Sequence, residues 1–393
     1  MIESPKTPVG VLVVDDSPFM RLTLQKILSQ SPKIKVLDTA RDGREGILKL
    51  QSLHPQVVTM DVEMPVMDGL RALEEVMRWQ PTPIIILSSV TTEGAQATLK
   101  ALDLGAVDVV AKPTGKQGDD LQVLSHDLVE KVLAAAEVNL NRLGRKGLTN
   151  NVGVAGNLGA VNQTTGRKVE ISASSPGAPP LKGQIPRPST AIKSTVLPKH
   201  AVEIVAIGTS TGGPSALQAV LPVLPGNFPV PVLVAQHMPA GFTGPLAQRL
   251  NGLCQLNVKE GIHGEVLKAG TVYVAPAGKQ LEVLRKSGQL TLQIGDNAPI
   301  PTLYHPSVDV MLLSLAKSVG KGTLGVVMTG MGNDGTRGMK EVKALEGFSI
   351  VESEETCVVY GMPRSVVEAG LADRIVPLGQ IGRTIVECVM KRG

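Results

Sequence analysis

Two stretches of strand-and-helix periodicity, separated by a segment that has none, constrain this chain more than any other feature. The first runs from about Val9 to Asn139. Short apolar runs at 9–14, 34–37, 57–60, 84–87 and 107–110 alternate with helical patterns at 18–29, 43–52, 69–78, 93–103 and 119–138. Strand-length runs separated by helix-length segments define βα units, and five of them predict a parallel sheet. Only 2% of residues are aromatic, so Val, Ile, Leu and Ala must fill the cores. That usage suits parallel strands buried on both faces.

From Gly144 to Lys199 the chain is rich in Gly, Asn, Ser, Thr and Pro and has no aromatic residue. Such a segment buries too little surface to offset its backbone entropy, and a flexible linker is expected. A second pattern begins at Val202, with strands expected at 202–207, 230–235, 271–274, 281–284, 290–294 and 323–328. Helices are expected at 214–221, 243–251, 306–318, 335–345, 363–369 and 380–390. The alternating runs between about 271 and 294 suggest a small antiparallel hairpin. The expected fold is therefore α/β, with a (βα)5 domain over 8–135, a linker over 136–199 and a second α/β domain, its sheet mostly parallel, over 200–393.

Charge and cysteine usage exclude several classes. Residues 144–200 hold eight basic side chains against Glu170 alone. The segment thus carries +7 of a chain whose total is +4, and the remainder carries −3. Basic residues confined to a weakly structured stretch do not make a nucleic-acid-binding face. Cys254, Cys357 and Cys388 form no CxxC pair, which argues against a disulfide framework or structural zinc and fits a reducing compartment. The first residues do not read as a signal peptide, and no apolar run is long enough to span a bilayer. A cytoplasmic location without membrane insertion is expected.

In the first domain, chemistry-bearing residues recur at strand ends. Asp15 and Asp16 follow the first run, Asp61 the third, Ser88 the fourth, and Lys112-Pro113 the fifth. A parallel sheet gathers these positions at one edge, where open α/β folds place their sites. Three carboxylates in one crevice repel one another unless a cation joins them, and hard oxygen donors suit Mg²⁺. Helix capping by individual Asp residues is the plainer alternative, but it explains neither the paired Asp nor the Lys-Pro.

The segments VLVVDDSPFMR, DVEMPVMDG, LSS and KP resemble the receiver domain of bacterial response regulators over about residues 9–130. The resemblance implies that Asp61 accepts a phosphoryl group from a chemotaxis histidine kinase. It also implies that Asp15, Asp16 and Asp61 hold Mg²⁺, and that Ser88 and Lys112 contact the phosphoryl group. Receivers often carry Phe or Tyr three residues before that lysine. Here Val109 stands there, which puts the usual aromatic switch in question.

In the second domain, Gly208-Thr209-Ser210-Thr211-Gly212 satisfies the G-x-S-x-G nucleophile pattern after a strand. His237 follows a second strand and Asp334 a third. If those strands are parallel neighbours, Ser210, His237 and Asp334 converge as nucleophile, base and orienting carboxylate. Their chain order differs from that of α/β-hydrolases. Residues 330–335 also read G-x-G-x-x-G with Glu352 beyond, imitating a dinucleotide fingerprint. Asp334 inside that loop would face a pyrophosphate, and Ser210 and His237 would go unexplained.

The segments IGTSTGGP, QHMP, VYVAPAG and TGMGNDG resemble the catalytic domain of the chemotaxis protein-glutamate methylesterase (CheB) family. The resemblance implies hydrolysis of glutamate γ-methyl esters, and deamidation of glutamines, on chemoreceptor cytoplasmic helices. Recruitment to chemoreceptor arrays follows from the same likeness. It puts Ser210, His237 and Asp334 at the family's triad positions and Met331 at the oxyanion region. The backbone N–H of Thr211, at the following helix start, is the second expected oxyanion donor, and no cofactor is expected for ester hydrolysis. Thr209 stands where the family often has Ala. Two alternatives remain at this level: a catalytically silent, phosphorylation-dependent adaptor, and a hydrolase of some other protein ester or amide. His263 and His305 read as surface or loop residues, His54, His126 and His200 have no acidic or cysteine partners at metal-ligand spacing, and Trp79 reads as partly packed.

Overall fold

In the computed structural model, which describes residues 7–89, 91–113, 118–138 and 196–390, each of the first five apolar runs is a strand. These are β1 (Val9–Val14), β2 (Ile34–Ala40), β3 (Val57–Asp61), β4 (Ile84–Ser88) and β5 (Asp108–Ala111). They pair in parallel in the order β2-β1-β3-β4-β5. Helices α1 (Pro18–Leu28), α2 (Gly43–Leu53), α3 (Gly69–Trp79), α4 (Thr92–Asp103) and α5 (Gly118–Ala136) form the connections and the covering layer. Helix starts are fixed by side-chain acceptors: Ser17 caps α1, Asp42 caps α2 and Asp68 caps α3. Asp15, Asp16 and Asp61 are not the capping residues of those helices. Every residue of β3 and β4 is buried, as a sheet covered on both faces requires.

The expected linker, 136–199, lies outside the described residues from 139 to 195. The second domain has nine strands: β6 (Ile204–Thr209), β7 (Val232–Gln236), β8 (Asn257–Glu260), β9 (Thr271–Val274), β10 (Gln280–Lys286), β11 (Gln289–Gly295), β12 (Thr323–Val327), β13 (Phe348–Glu352) and β14 (Arg374–Val376). Seven form a parallel sheet in the order β14-β13-β12-β6-β7-β9-β8. The expected hairpin is β10-β11. It turns at Ser287-Gly288, both at positive φ, the backbone that matches strand twist in a two-residue loop.

Three strands, β8, β13 and β14, escape the periodicity reading. Of β8 only Val258 is buried, and β14 has three residues. Although β13 is wholly buried, it contains Ser349 and Glu352. Neighbouring loops satisfy both, with Ser349 bonded to Leu371 and Asp373, and Glu352 to Thr329 and Thr356. A tertiary hydrogen-bond network thus overrides the local polarity.

Alternation along β6 sets the two layers. Val205 and Ile207 face a core shared with α6 (Gly213–Val220), α7 (Thr243–Leu253) and α11 (Leu378–Met390). Ile204 and Ala206 face one shared with α8 (Val308–Ser318), α9 (Thr336–Ala344) and α10 (Met362–Glu368). Trp79 is 77% exposed, with Arg78 over its ring, rather than partly packed. Among the described residues no helix is long and apolar enough to cross a membrane.

Candidate functional site

The sheet of the first domain delivers Asp15, Asp16, Asp61, Ser88 and Lys112 to one edge. Lys112 Nζ lies 2.7 Å from Asp61 Oδ2 and 2.9 Å from Asp15 Oδ2. Oxygens of Asp15, Asp16 and Asp61 fall within 4.8 Å of one another. Asp15 is buried and Asp16 exposed, so the three present a half-open, all-oxygen donor set that fits Mg²⁺ with retained water. Burial pushes the Asp61 carboxyl up and Asp15 adds to this, while Lys112 opposes it. Burial alone would depress the Lys112 ammonium, but Asp61 and Asp15 raise it instead. Ser88 Oγ donates to Gly94 O at 3.1 Å. With Lys112 it lines a cavity of about 300 Å³ beside Asp61. Gly69 is required there, because a Cβ would stand 1.9 Å from Asp61 O.

In the second domain, Ser210 follows β6, near the middle of the sheet. His237 follows β7 on one side, and the loop carrying Asp334 follows β12 on the other. This is the switch point at which open α/β sheets form crevices. The turn at Ser210 closes through Gly213 N–H donating to Ser210 O at 2.8 Å. Gly212 takes φ +77° and starts α6. A side chain at Gly208 would strike Val308 at 2.3 Å. Gln236, which the motifs did not single out, ties the two turns together. Its Nε2 donates to Ser210 O (3.0 Å) and His237 O (2.9 Å), while Thr209 Oγ1 donates to its Oε1 (2.6 Å).

His237 and Asp334 are brought into contact: Nε2 lies 2.8 Å from Asp334 Oδ2. Asp334 also accepts from Ser307 Oγ and from the Val308 and Asp309 N–H groups at the start of α8. Burial would raise its pKa, but His237 and these N–H groups hold the carboxyl below its usual range. An ionised Asp334 keeps the proton on Nε2 and leaves Nδ1 as the basic nitrogen. Nδ1 is buried and makes no hydrogen bond among the described residues. Asp309 is placed reciprocally, accepting the Gly335 and Gly338 N–H groups at the start of α9. Burial pushes its pKa up to about 6.

The first domain lies against this edge. Thr211 Oγ1 donates to Asp108 Oδ2 at 2.5 Å, and Gln218 Nε2 donates to Asp103 Oδ1 at 3.1 Å. Arg249 pairs with Asp103. Met331, Val358 and Val359 pack into the cluster that holds Leu124, Leu128 and Val132 of α5.

The fold and its two sites define a class, a hydrolase domain fused to a phosphorylation-type receiver. The CheB methylesterase family model matches residues 205–385 and the response regulator receiver model residues 11–121. The protein-glutamate methylesterase/protein-glutamine glutaminase of Desulfitobacterium hafniense is 65% identical over the full length of both chains. That of Moorella thermoacetica is 45% identical over 98% of this chain and 99% of its own. The Thermotoga maritima CheB methylesterase catalytic domain is 43% identical, covering 48% of this chain and 99% of that one at a TM-score of 0.46. The chain belongs to the CheB methylesterase family.

Proposed function

We propose that this chain hydrolyses glutamate γ-methyl esters on chemoreceptor cytoplasmic helices, releasing methanol, and deamidates receptor glutamines, under control of phosphorylation at Asp61. The observation that carries the chemistry is the His237–Asp334 pair, with an unengaged Nδ1, at the strand edge that also presents Ser210. His237 Nδ1 takes the Ser210 proton as Oγ attacks the ester carbonyl. The Thr211 and Met331 N–H groups stabilise the oxyanion. Methanol leaves with the proton from His237, and water then releases the glutamyl carboxylate by the reverse route. Asp334 holds the imidazole and offsets its positive charge.

For regulation, Asp15, Asp16 and Asp61 would hold Mg²⁺, which supplies charge neutralisation for phosphoryl transfer from a chemotaxis kinase to Asp61. Ser88 and Lys112 contact the phosphoryl group. The unphosphorylated receiver covers the substrate entrance, a reading supported by its bond to Thr211 and its packing on Met331. Phosphorylation loosens that packing, and a change of about 1–3 kcal/mol suffices for roughly 5- to 150-fold coupling. The test is mass spectrometry of methylated receptor helices incubated with the full chain, a phosphodonor and Mg²⁺. Glutamates appearing at the ester and glutamine positions are expected. Unchanged helices would leave the chain an adaptor.

A further inference from the structure

His237 is restrained at its edge by one hydrogen bond to Asp334. A single bond at Nε2 still lets the imidazole tilt about that contact and swing Nδ1 off line. The face of the ring meets Tyr304, whose ring lies parallel to it, with centroids 4.2 Å apart and 4° between planes. Tyr304 belongs to no helix or strand, yet its backbone is anchored. Its N–H donates to Thr302 Oγ1, and its carbonyl accepts from Gln280 Nε2 at 2.7 Å. Gln280 Oε1 accepts in turn from Ser307 N, and Ser307 Oγ donates to Asp334. One frame therefore sets both the carboxylate at the imidazole edge and the ring on its face.

The Tyr304 hydroxyl faces elsewhere. It donates to Glu130 Oε1 of α5 at 2.9 Å. Burial, with Glu130 adding to it, pushes the phenol pKa up, so the proton stays on the phenol. Gly332 leaves room for it: a Cβ there would lie 3.1 Å from the hydroxyl oxygen.

We propose that Tyr304 is a positioning residue for His237, its ring fixing the plane of the imidazole while its hydroxyl is gripped by Glu130 of the receiver. This rests on the reading of His237 as the base. It goes beyond occlusion, because the receiver holds a side chain that orients the base rather than merely covering an entrance. Ring and hydroxyl carry separate roles, so substitution separates them. Tyr304→Phe keeps the stacking plane and drops the bond to Glu130. Tyr304→Leu keeps apolar bulk and drops the plane.

The experiment measures kcat and KM for demethylation by the full chain, with and without phosphodonor and Mg²⁺. In the phosphorylated state Tyr304→Phe should stay within about twofold of wild type. Tyr304→Leu should lose about 10- to 100-fold in kcat with KM changed less than about threefold, the signature of a misaimed base. Without phosphodonor, Tyr304→Phe and Glu130→Ala should each raise the basal rate by about 3- to 10-fold. A Leu variant with wild-type kcat, or Phe and Leu variants equally impaired, would overturn the positioning role. Unchanged basal rates in both Tyr304→Phe and Glu130→Ala would overturn the grip. If the Leu variant does not fold, Tyr304→Met serves as the variant without a plane. His237→Ala, run alongside, isolates the underlying reading: full turnover without the imidazole sinks the base assignment itself.

Discussion

Asp108, the first residue of β5, accepts a hydrogen bond from the hydroxyl of Thr211, the residue after Ser210, at 2.5 Å. Lys131 holds Asp108 from behind at 3.4 Å and donates to Val109 O at 2.6 Å. Lys112, which bridges Asp61 and Asp15, lies just past the end of the same strand. A four-residue strand thus runs from the proposed phosphoacceptor pocket to the proposed nucleophile turn.

Removing the Thr211 hydroxyl should therefore loosen the domains while leaving its backbone N–H in place. A hydrogen bond to a charged group is worth about 1.5–3 kcal/mol, part of which water restores. Thr211→Ala should raise basal demethylation of the unphosphorylated chain by about 5- to 30-fold. Initial rates with and without phosphodonor check this. An unchanged basal rate would show that the bond does not hold the receiver down.

Ser210→Ala should stop methanol release while leaving the melting transition in place, since no second hydroxyl replaces the nucleophile. Asp334→Asn should do more than misorient His237. Both carboxylate oxygens accept, from Ser307 Oγ and Asp309 N on one side and from Val308 N and His237 Nε2 on the other. An amide must turn its NH₂ toward at least one donor, costing about 1–3 kcal/mol of stability. Turnover should fall about 10⁴-fold. Full activity in the Asn variant removes Asp334 from the mechanism.

Asp309 titrates with a raised pKa, about 6 in the folded chain against about 3.9 unfolded. Between those values the folded state binds more protons, so stability falls as pH rises through the window and stays lower above it. Asp309→Asn keeps an oxygen for the Gly335 and Gly338 N–H groups and removes the ionisation. Its stability advantage over wild type should grow by roughly 1–1.5 kcal/mol between pH 5 and pH 8. Denaturant titrations at the two pH values measure it. A variant that loses ground at pH 8 would mean the helix N–H groups favour the anion more than burial opposes it.

Chelation should separate the two sites. EDTA should abolish phosphodonor stimulation, because the Asp15–Asp16–Asp61 oxygens are then left without their cation. Basal demethylation by the full chain should stay within about twofold, since the proposed acyl transfer runs through Ser210, His237 and Asp334 alone. A parallel loss of basal turnover, restored by one metal, would overturn that division.

The sequence determined the strand-and-helix alternation, the parallel sheets and the family, because buried β-branched runs and glycine-bounded turns act over a few residues. Asp61 ends one such run and Ser210 follows another, so local pattern brings the eye to both. It could not show β13, whose Ser349 is satisfied by Leu371 and Asp373 and whose Glu352 is satisfied by Thr329 as well as the nearby Thr356. Nor could it show which imidazole nitrogen meets Asp334, for that depends on where the start of α8 falls. Tyr304 and Asp108 carry no motif, and Gln236, though it opens the QHMP segment, has no role assigned by it. Each matters through a partner 26 to 103 residues away (Ser210 for Gln236, His237 for Tyr304, Thr211 for Asp108), and only the packing of strands, loops and domains decides such pairs. A hydrogen bond or a stacked ring depends on distance in space, whereas periodicity records only which face of its own element a residue occupies.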